Sequence, residues 1–308
     1  MNPRKIRTRT VQFLQYLVFR VLCFFLNLLP FRFALKLGRW SGRALYRILP
    51  RYRKVALENL KYAFEGQKSE REIKQIALQS FENLGMFGME LIRIPKIVKR
   101  LEDYVAIQNV ESVLKALEAK KGVVLIVSHF GNWEWMALAA GQKARERGVS
   151  ISAVARTLGN PWIYDYAKRL RGATGLITLD KHGAVRKAIK LLEQNQIVTF
   201  PIDQHERHGS VPVPYFGREA WTTSVPAMLA VKKGAAVISV FSYRRKNKPT
   251  LVELGEPHPV IQTGCYEQDL IANTRQYVEA LETAVRKRPG DWLWMHARWR
   301  SSRIGKVI

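Results

Sequence analysis

Cysteine and acidic residues are scarce in this chain. Cys23 and Cys265 are the two cysteines among 308 residues, which excludes a disulfide framework and a four-cysteine zinc site. The 25 Asp and Glu stand against 51 Lys and Arg, giving a formal net charge of +26. Such a charge favours anionic partners, whether nucleic acid, anionic lipid or an acidic protein. An apolar content of 47% with 25% charged residues excludes a disordered or fibrous protein.

Long apolar runs are also scarce, and residues 11–29 form the one run of membrane-spanning length in the sequence. On a helix its polar residues, Gln12, Gln15, Arg20 and Asn27, share a stripe about 140° wide. An arginine at the centre of a spanning helix is costly, whereas on a helix in the membrane interface it costs little. The run predicts a membrane anchor, and both a spanning and an interfacial helix stay open.

The charge around this run supports the same interpretation. Residues 1–60 contain thirteen Lys and Arg but one acid, Glu58, a distribution that favours contacts with anionic headgroups and the cytoplasmic side of a membrane. We therefore expect residues 1–50 to form an anchoring and interfacial segment. A cleaved signal peptide and a buried core helix are the alternatives.

The remaining residues, 51–308, alternate between strand-like and helix-like patterns. This alternation predicts one α/β domain with a central, mostly parallel sheet flanked by helices. The predicted strands are residues 122–128, 151–155, 196–202 and 235–243, and the predicted helices are residues 68–96, 110–120, 133–146, 161–170, 182–194 and 225–233. The first of these helices is expected to begin with a capping box of Ser69 and Glu72 and to stop at Pro95.

His129 is the main candidate for catalysis. It follows the buried strand 122–128, and ligands collect at the carboxyl ends of parallel strands. Asn132 is a suitable N-cap for the next helix, which puts Glu134 in the first helical turn. Across this junction Glu134 could hold the imidazole in one tautomer and leave the other nitrogen as a general base. The alternative is a structural histidine.

Several segments resemble one known family. The sequence VSHFGNWEW around His129 resembles the His-x4-acid motif of glycerolipid-type acyltransferases, and in particular that of the bacterial lipid A late (lauroyl/myristoyl) acyltransferases. Further similar segments follow the family order, although Ala297 and Arg300 replace a common Arg and Lys. These segments are RYRKVALENLKYAF at 51–64, VARTLGNP at 154–161, PIDQH at 201–205, VPVPYFGREAWTTSVPAMLA at 211–230 and WLWMHARWR at 292–300.

The resemblance implies a membrane-bound O-acyltransferase on the cytoplasmic face of the inner membrane. Its reaction would move a fatty acyl group from an acyl carrier protein thioester to a hydroxyl of a lipid A precursor, without a covalent acyl-enzyme and without a cofactor. His129 would be the general base, with Glu134 orienting it and balancing its charge.

Four more residues are candidates for substrate binding. Arg156 and Asn160 follow the strand 151–155, and Asp203 and Gln204 follow the strand 196–202, so all four are expected near the same rim. Each has a structural alternative: a surface ion pair for Arg156, a turn residue for Asn160, and an indirect role for the other two. We expect no metal site at Asp203, Glu206 and the neighbouring histidines, because their spacing matches no usual ligand pair.

Two other functions fit parts of the sequence. The same chemistry could act on another glycolipid or a phospholipid acceptor. A basic, membrane-tethered nucleic-acid-binding protein would explain the charge, but the sequence has no nucleic-acid motif and we expect no such partner. The expected partners are acyl carrier protein, the acceptor lipid and anionic membrane lipids.

Overall fold

The computed structural model describes residues 3–155, 157–245 and 248–299, and over these ranges the chain forms ten α-helices and nine β-strands. The helices are α1 (Pro3–Leu28), α2 (Phe31–Ile48), α3 (Pro50–Ala63), α4 (Glu70–Ile97), α5 (Val110–Glu118), α6 (Trp133–Glu146), α7 (Pro161–Gly172), α8 (Ala184–Glu193), α9 (Val225–Lys233) and α10 (Tyr266–Lys287).

Seven of the strands form one sheet in the order β1-β9-β8-β2-β5-β3-β4, and β6 and β7 form a separate hairpin. Strands β8, β2, β5, β3 and β4 run parallel, while β9 is antiparallel to β8 and parallel to β1. The strands are β1 (Val105–Gln108), β2 (Val123–Val127), β3 (Ile151–Ala155), β4 (Leu176–Asp180), β5 (Ile197–Pro201), β6 (Ser210–Tyr215), β7 (Arg218–Thr223), β8 (Ala236–Tyr243) and β9 (Thr250–Pro257).

Alternate residues of the central strand β2 face two hydrophobic layers. Val124 and Ile126 belong to one buried cluster, and Val123 and Leu125 belong to the other. A strand that is buried on both faces needs apolar side chains at every position, because successive side chains point to opposite faces. The continuous apolar sequence of β2 therefore reflects its place in the middle of a covered sheet.

The fold confirms the predicted α/β class with a mostly parallel sheet. The predicted helix at 68–96 is α4, and Ser69 and Glu72 form the expected capping box. Pro95 does not end this helix but lies in its last turn, where α4 continues to Ile97. The sequence patterns missed β1, β4, β9, α10 and the β6–β7 hairpin.

The apolar run at 11–29 lies within α1. Its segment Thr8–Leu28 is long and apolar enough to cross a membrane by length and composition, and little of it is buried by the rest of the described chain. The helices α2 and α3 follow directly. In α2, Gly38 and Gly42 pack against the backbone of α4 at Met86 and Phe81.

Candidate active site

The turn after β2 is fixed by one glycine and one cap. Gly131 has a φ of +59°, and a Cβ there would lie 2.0 Å from the carbonyl oxygen of Ser242, so both conformation and space require glycine. The side-chain oxygen of Asn132 accepts a hydrogen bond from the backbone N–H of Trp135 at 2.9 Å and caps α6, as expected. This turn holds His129 at the carboxyl edge of the sheet.

His129 pairs with Asp203 across two neighbouring strands. Nδ1 of His129 lies 2.9 Å from Oδ1 of Asp203, while the backbone N–H of His129 donates to Oδ2 at 2.8 Å. The indole N–H of Trp292 donates to the same Oδ2 at 3.0 Å. Strands β2 and β5 run side by side, so the residues that follow them meet at one edge of the sheet. Asp203 thus has three partners around a buried carboxylate.

The two groups shift each other's protonation. Burial lowers the pKa of His129, but the charge and hydrogen bond of Asp203 outweigh burial and raise that pKa above its usual value. Burial raises the pKa of Asp203, whereas the charge of His129 and its hydrogen bonds lower it overall. Asp203 therefore stays ionised and holds a proton on Nδ1 of the ring, which leaves Nε2 as the basic nitrogen.

Glu134 does not hold His129, contrary to the sequence-based expectation. Its two carboxylate oxygens accept hydrogen bonds from Nε and Nη2 of Arg171 in α7, at 2.6 and 2.9 Å. Both side chains are largely buried, with 11% of Glu134 and 21% of Arg171 exposed. The prediction failed because Glu134 leaves the first turn of α6 toward α7, while the ring of His129 faces β5.

A C-terminal segment packs against the turn that carries His129. Phe130 and Trp292 form an antiparallel β-bridge, and the backbone N–H of Leu293 donates to the carbonyl of His129 at 3.1 Å. From α3, the Asn59 amide donates to the carbonyl of Trp294 at 2.9 Å. Residues from two segments that were noticed separately in the sequence, Asn59 from 51–64 and Trp292–Trp294 from the C-terminal motif, thus together hold the turn.

The same segment also fixes the loop after Asp203. The backbone N–H of His205 donates to Nε2 of His296 at 2.9 Å. Burial lowers the pKa of His296 to about 4, so this ring stays neutral and can accept the bond. Arg298 is fully buried and donates to the carbonyl of Trp221 at 2.7 Å and to that of Gln204 at 3.3 Å. Gln204 is therefore positioned by the hydrogen bond to its own carbonyl and by the one from the next residue, His205.

His129 and Glu134 both line one large cavity of about 580 Å³, which is open to solvent. A quarter of the His129 side chain is exposed there. The polar part of the cavity wall also contains Arg171, Lys181, Gln204 and Glu206. The apolar part of the wall comes from α6 and the parallel strands and includes Val127, Ala137, Ala153, Leu176 and Phe200.

A second, small apolar cavity of about 70 Å³ shares part of its wall with the first. Leu125, Ala140, Ile151 and Val240 line both cavities. The second cavity extends between α5 and α6, with cationic side chains of α6 and its C-cap also in its wall. The walls of both cavities are thus mainly apolar on the side where they share residues.

The other predicted binding residues have different positions. Gln204 lies over the imidazole ring of His129, with its amide nitrogen 3.5 Å from both ring nitrogens. Arg156 lies outside the described residues. Asn160 caps α7 by accepting from the N–H groups of Trp162 and Ile163, and its amide donates to the carbonyl of Gln12 at 2.8 Å. The contacts of Asn160 are thus structural and join α7 to α1.

Sequence reasoning placed Asp203 correctly at the rim but not as the partner of His129. The signal that could have found it is the sequence Pro201-Ile202-Asp203 at the end of a buried strand, which matches Val127-Ser128-His129 at the end of another. Only the strand order reveals that these two ends are neighbours. Among the described residues no group of three or more His, Cys, Asp or Glu is placed to hold a metal ion.

Comparisons with known proteins indicate the family of this chain. The sequence profile of the bacterial lipid A biosynthesis acyltransferases matches residues 2–301. The chain is 24% identical to the phosphatidylinositol mannoside acyltransferase of Mycobacterium tuberculosis (strain ATCC 25618 / H37Rv) over 229 residues, which cover 71% of this chain and 69% of that protein. It is 22% identical to the corresponding enzyme of Mycolicibacterium smegmatis over 225 residues, which cover 71% of each.

Proposed function

The chain belongs to the bacterial lipid A biosynthesis acyltransferase family and is a lipid acyltransferase; from this premise we propose that His129 is its general base. The observation that carries the proposal is the pairing of Nδ1 with Asp203 at 2.9 Å in a ring that faces the large cavity. A carboxylate on Nδ1 fixes the tautomer and stabilises the imidazolium formed during the reaction. In this proposal Asp203, and not Glu134, is the acid that orients the ring of His129 and balances its charge.

The proposed donor is a fatty acyl thioester of acyl carrier protein, and the proposed acceptor is a hydroxyl of a lipid A precursor. Nε2 of His129 takes the hydroxyl proton as the oxygen attacks the thioester carbonyl carbon. The tetrahedral intermediate collapses with cleavage of the C–S bond, and the imidazolium returns its proton to the leaving sulfur. Neither cysteine takes part in these reaction steps, and the steps require no cofactor.

The cavity walls support this assignment of substrates. The apolar part of the large cavity suits a fatty acyl chain because it removes apolar surface from water. The polar part near His129 suits the reacting hydroxyl and its headgroup. Arg171, held by Glu134, places a fixed guanidinium on this wall, where it binds acceptor phosphate or steadies developing negative charge. We also assign Gln204 to substrate positioning, because it lines the same cavity and its amide lies beside the ring of His129.

A second candidate acceptor is another glycolipid. The similarity to two phosphatidylinositol mannoside acyltransferases favours a glycolipid with a sugar hydroxyl but leaves its core undefined. The chemistry at His129 is the same for both acceptors. In either case we place the enzyme at the cytoplasmic face of the inner membrane, since the strongly basic region 1–60 surrounds the apolar helix.

The decisive experiment offers the full-length protein, in phospholipid vesicles, each combination of donor and acceptor. The donors are acyl carrier protein and coenzyme A thioesters, and the acceptors are a lipid A precursor and a phosphatidylinositol mannoside. Mass spectrometry detects the product as the acceptor plus one acyl chain. Product from the carrier-protein donor and the lipid A precursor supports the proposal, product from the mannoside alone supports the second candidate, and no transfer to either contradicts both.

A further inference from the structure

Helix α1 turns its polar stripe toward the rest of the protein. The amide of Gln12 donates to the carbonyl of Gly159 at 3.1 Å, while Asn27 donates to the carbonyl of Ile92 in α4 at 2.8 Å. Between them, the guanidinium of Arg20 lies over the ring of Tyr166 in α7, 4.5 Å from its centroid. The polar stripe of α1 therefore contacts the rest of the protein at Gln12, Arg20 and Asn27.

The C-terminal end of α1 is fixed in the same way. Arg93 of α4 donates to the carbonyl of Leu29 at 2.7 Å, and Lys96 donates to the carbonyl of Asn27 at 2.5 Å. These cations satisfy carbonyl groups that a helix end leaves without partners, and they oppose its negative dipole end. The C-terminal end of α1 and its segment around Gln12 thus both contact the α/β domain.

The opposite face of α1 is apolar and exposed. At 100° per residue its large side chains fall within an arc of about 160°, with Cys23 buried on the reverse side. This outer face consists of Val11, Leu14, Leu17, Val18, Val21, Leu22, Phe24, Phe25 and Leu28. An exposed apolar face of this size on one helix marks an interaction surface.

These contacts decide the orientation of the helix. From Gln12 to Asn27 the helix rises about 22 Å, most of the roughly 30 Å thickness of a hydrocarbon core. A spanning orientation would carry α7 and the end of α4 into the bilayer along with α1. We infer that α1 lies parallel to the membrane plane in one leaflet, with its outer apolar face among the acyl chains of an anionic phospholipid bilayer and its inner face on the catalytic domain.

The charge of α2 identifies the partner as an anionic lipid surface. Its outward face carries Trp40, 72% exposed, and Phe33, 54% exposed, among basic side chains. Aromatic rings mixed with cations suit the headgroup level of a membrane. The cations on this face are Arg32, Lys36, Arg39, Arg43 and Arg47, of which Arg39 and Arg43 also pair with Glu82.

This orientation brings the catalytic cavity to the bilayer surface. Strand β3 lines the cavity through Ala153 and Ala155, and the loop that follows it contacts α1 through Gly159 and Asn160. An acceptor lipid could then reach His129 without its acyl chains crossing water. The inference about α1 rests on its own contacts and stands whichever acceptor the enzyme uses.

Labelling from one side of the membrane tests the orientation. In full-length protein with Cys23→Ala and Cys265→Ser, a single cysteine replaces Arg9, near the start of α1, or Lys120 in the catalytic domain. Inside-out membrane vesicles are treated with a membrane-impermeant maleimide. An in-plane helix leaves both sites on the same side, so both are labelled in the same vesicles. Labelling at Lys120 with protection at Arg9 until the vesicles are opened would establish a spanning helix and overturn the inference.

Vesicle binding tests the outer face against the inner face. Replacing Val18 and Val21 by Asn should weaken binding to 3:1 phosphatidylethanolamine–phosphatidylglycerol vesicles about tenfold, because apolar surface leaves the bilayer. The control Arg20→Leu leaves the outer face intact and should bind within about twofold of the native chain. Equal binding by all three proteins contradicts the inference. A disulfide between copies carrying Leu22→Cys in these vesicles would assign the face to a second copy and also contradict it.

Discussion

At the scale of single residues, the site depends on which carboxylate holds the imidazole. A histidine acts as a base when one nitrogen is held by a partner and the other is left for substrate. Asp203 fills the first role at 2.9 Å, whereas Glu134 is bound by Arg171. The two acids therefore differ in function, and their substitutions should give different results.

Replacing His129 by Ala removes the proposed base and should lower kcat by about 10²-fold or more. The measurement is steady-state acyl transfer with the full-length protein in vesicles. Circular dichroism and vesicle binding verify that the variant is folded and attached. Full activity in a folded His129→Ala protein would exclude this residue as the base.

The pH profile distinguishes Asp203 from Glu134. The base must be neutral, and Asp203 raises the pKa of His129, so kcat/KM should rise with pH through a value above the ordinary histidine pKa of about 6.5. In Asp203→Asn the carboxylate charge is gone and burial remains, so this acid limb should move to lower pH while kcat falls. In Glu134→Gln the limb should stay in place. If the pH dependence of kcat/KM in Asp203→Asn matched that of the native protein, the pairing of Asp203 with His129 would be refuted.

Glu134→Gln should lower stability, since it leaves the buried Arg171 guanidinium without its carboxylate. Breaking a buried pair from one side costs about 3 kcal/mol or more, and we expect the lower end here because both groups retain some exposure. Thermal unfolding monitors the loss. The double variant Glu134→Leu with Arg171→Leu should recover part of it. A Glu134→Gln protein as stable as the native one would mean that the pair contributes little.

At the scale of elements, the site is a product of adjacent strand ends and one tight turn. Strand β2 pairs with β5 in parallel register from Val123 to Val127, and the ladder continues because the N–H of Ile202 donates to the carbonyl of Val127 at 3.0 Å. The residues that follow then leave the sheet together. The C-terminal segment around Trp292 closes this arrangement by contacting both Asp203 and the turn.

Gly131→Ala should disable the turn. The added methyl group would lie 2.0 Å from the carbonyl oxygen of Ser242, in a backbone conformation that alanine avoids. We expect a lower melting temperature and a loss of transfer activity. Gly88→Ala is the matched control, because Gly88 lies in helix α4 with no atom near its missing Cβ. Similar behaviour of the two variants would show that the turn tolerates a side chain.

At the scale of the whole molecule, we propose that the basic residues behind the net charge of +26 bind two different anionic partners. The part near α1 and α2 faces lipid. Another part near the cavity mouth suits an acidic acyl carrier protein, since complementary charge accelerates encounter and orients partners. The first turn of α8 is a candidate, because Ala184 and Val185 line the cavity and the exposed Arg186 and Lys187 follow them.

Reversing both charges, Arg186→Glu with Lys187→Glu, should raise the apparent KM for the carrier-protein donor several-fold at low salt. The effect should shrink as salt increases, because screening weakens exposed charges. Vesicle binding should not change. The control Lys120→Glu with Lys121→Glu makes the same charge change just before β2, at the opposite edge of the sheet. Equal donor kinetics in both variants would exclude this part of α8 as the donor surface.

Local patterns were sufficient for much of the fold. The continuous apolar sequence of β2, the capping box at Ser69 and the cap at Asn132 depend on neighbouring residues, and the structure confirms all three. Pro95 was a weaker guide: its position in the last turn of α4 shows that proline does not always end a helix at once. The short edge strand β1 and the hairpin have no comparably strong pattern.

The sequence by itself determined the class of fold, the strand-end position of His129 and the presence of one apolar helix with a polar stripe, because these follow from residue type and spacing along the chain. The tertiary structure alone decided that Asp203, not Glu134, reaches His129, and that the stripe of α1 rests on α7 and α4. Both outcomes depend on which elements become neighbours when residues far apart in the chain pack together. The spacing of residues along the chain does not specify which elements these are.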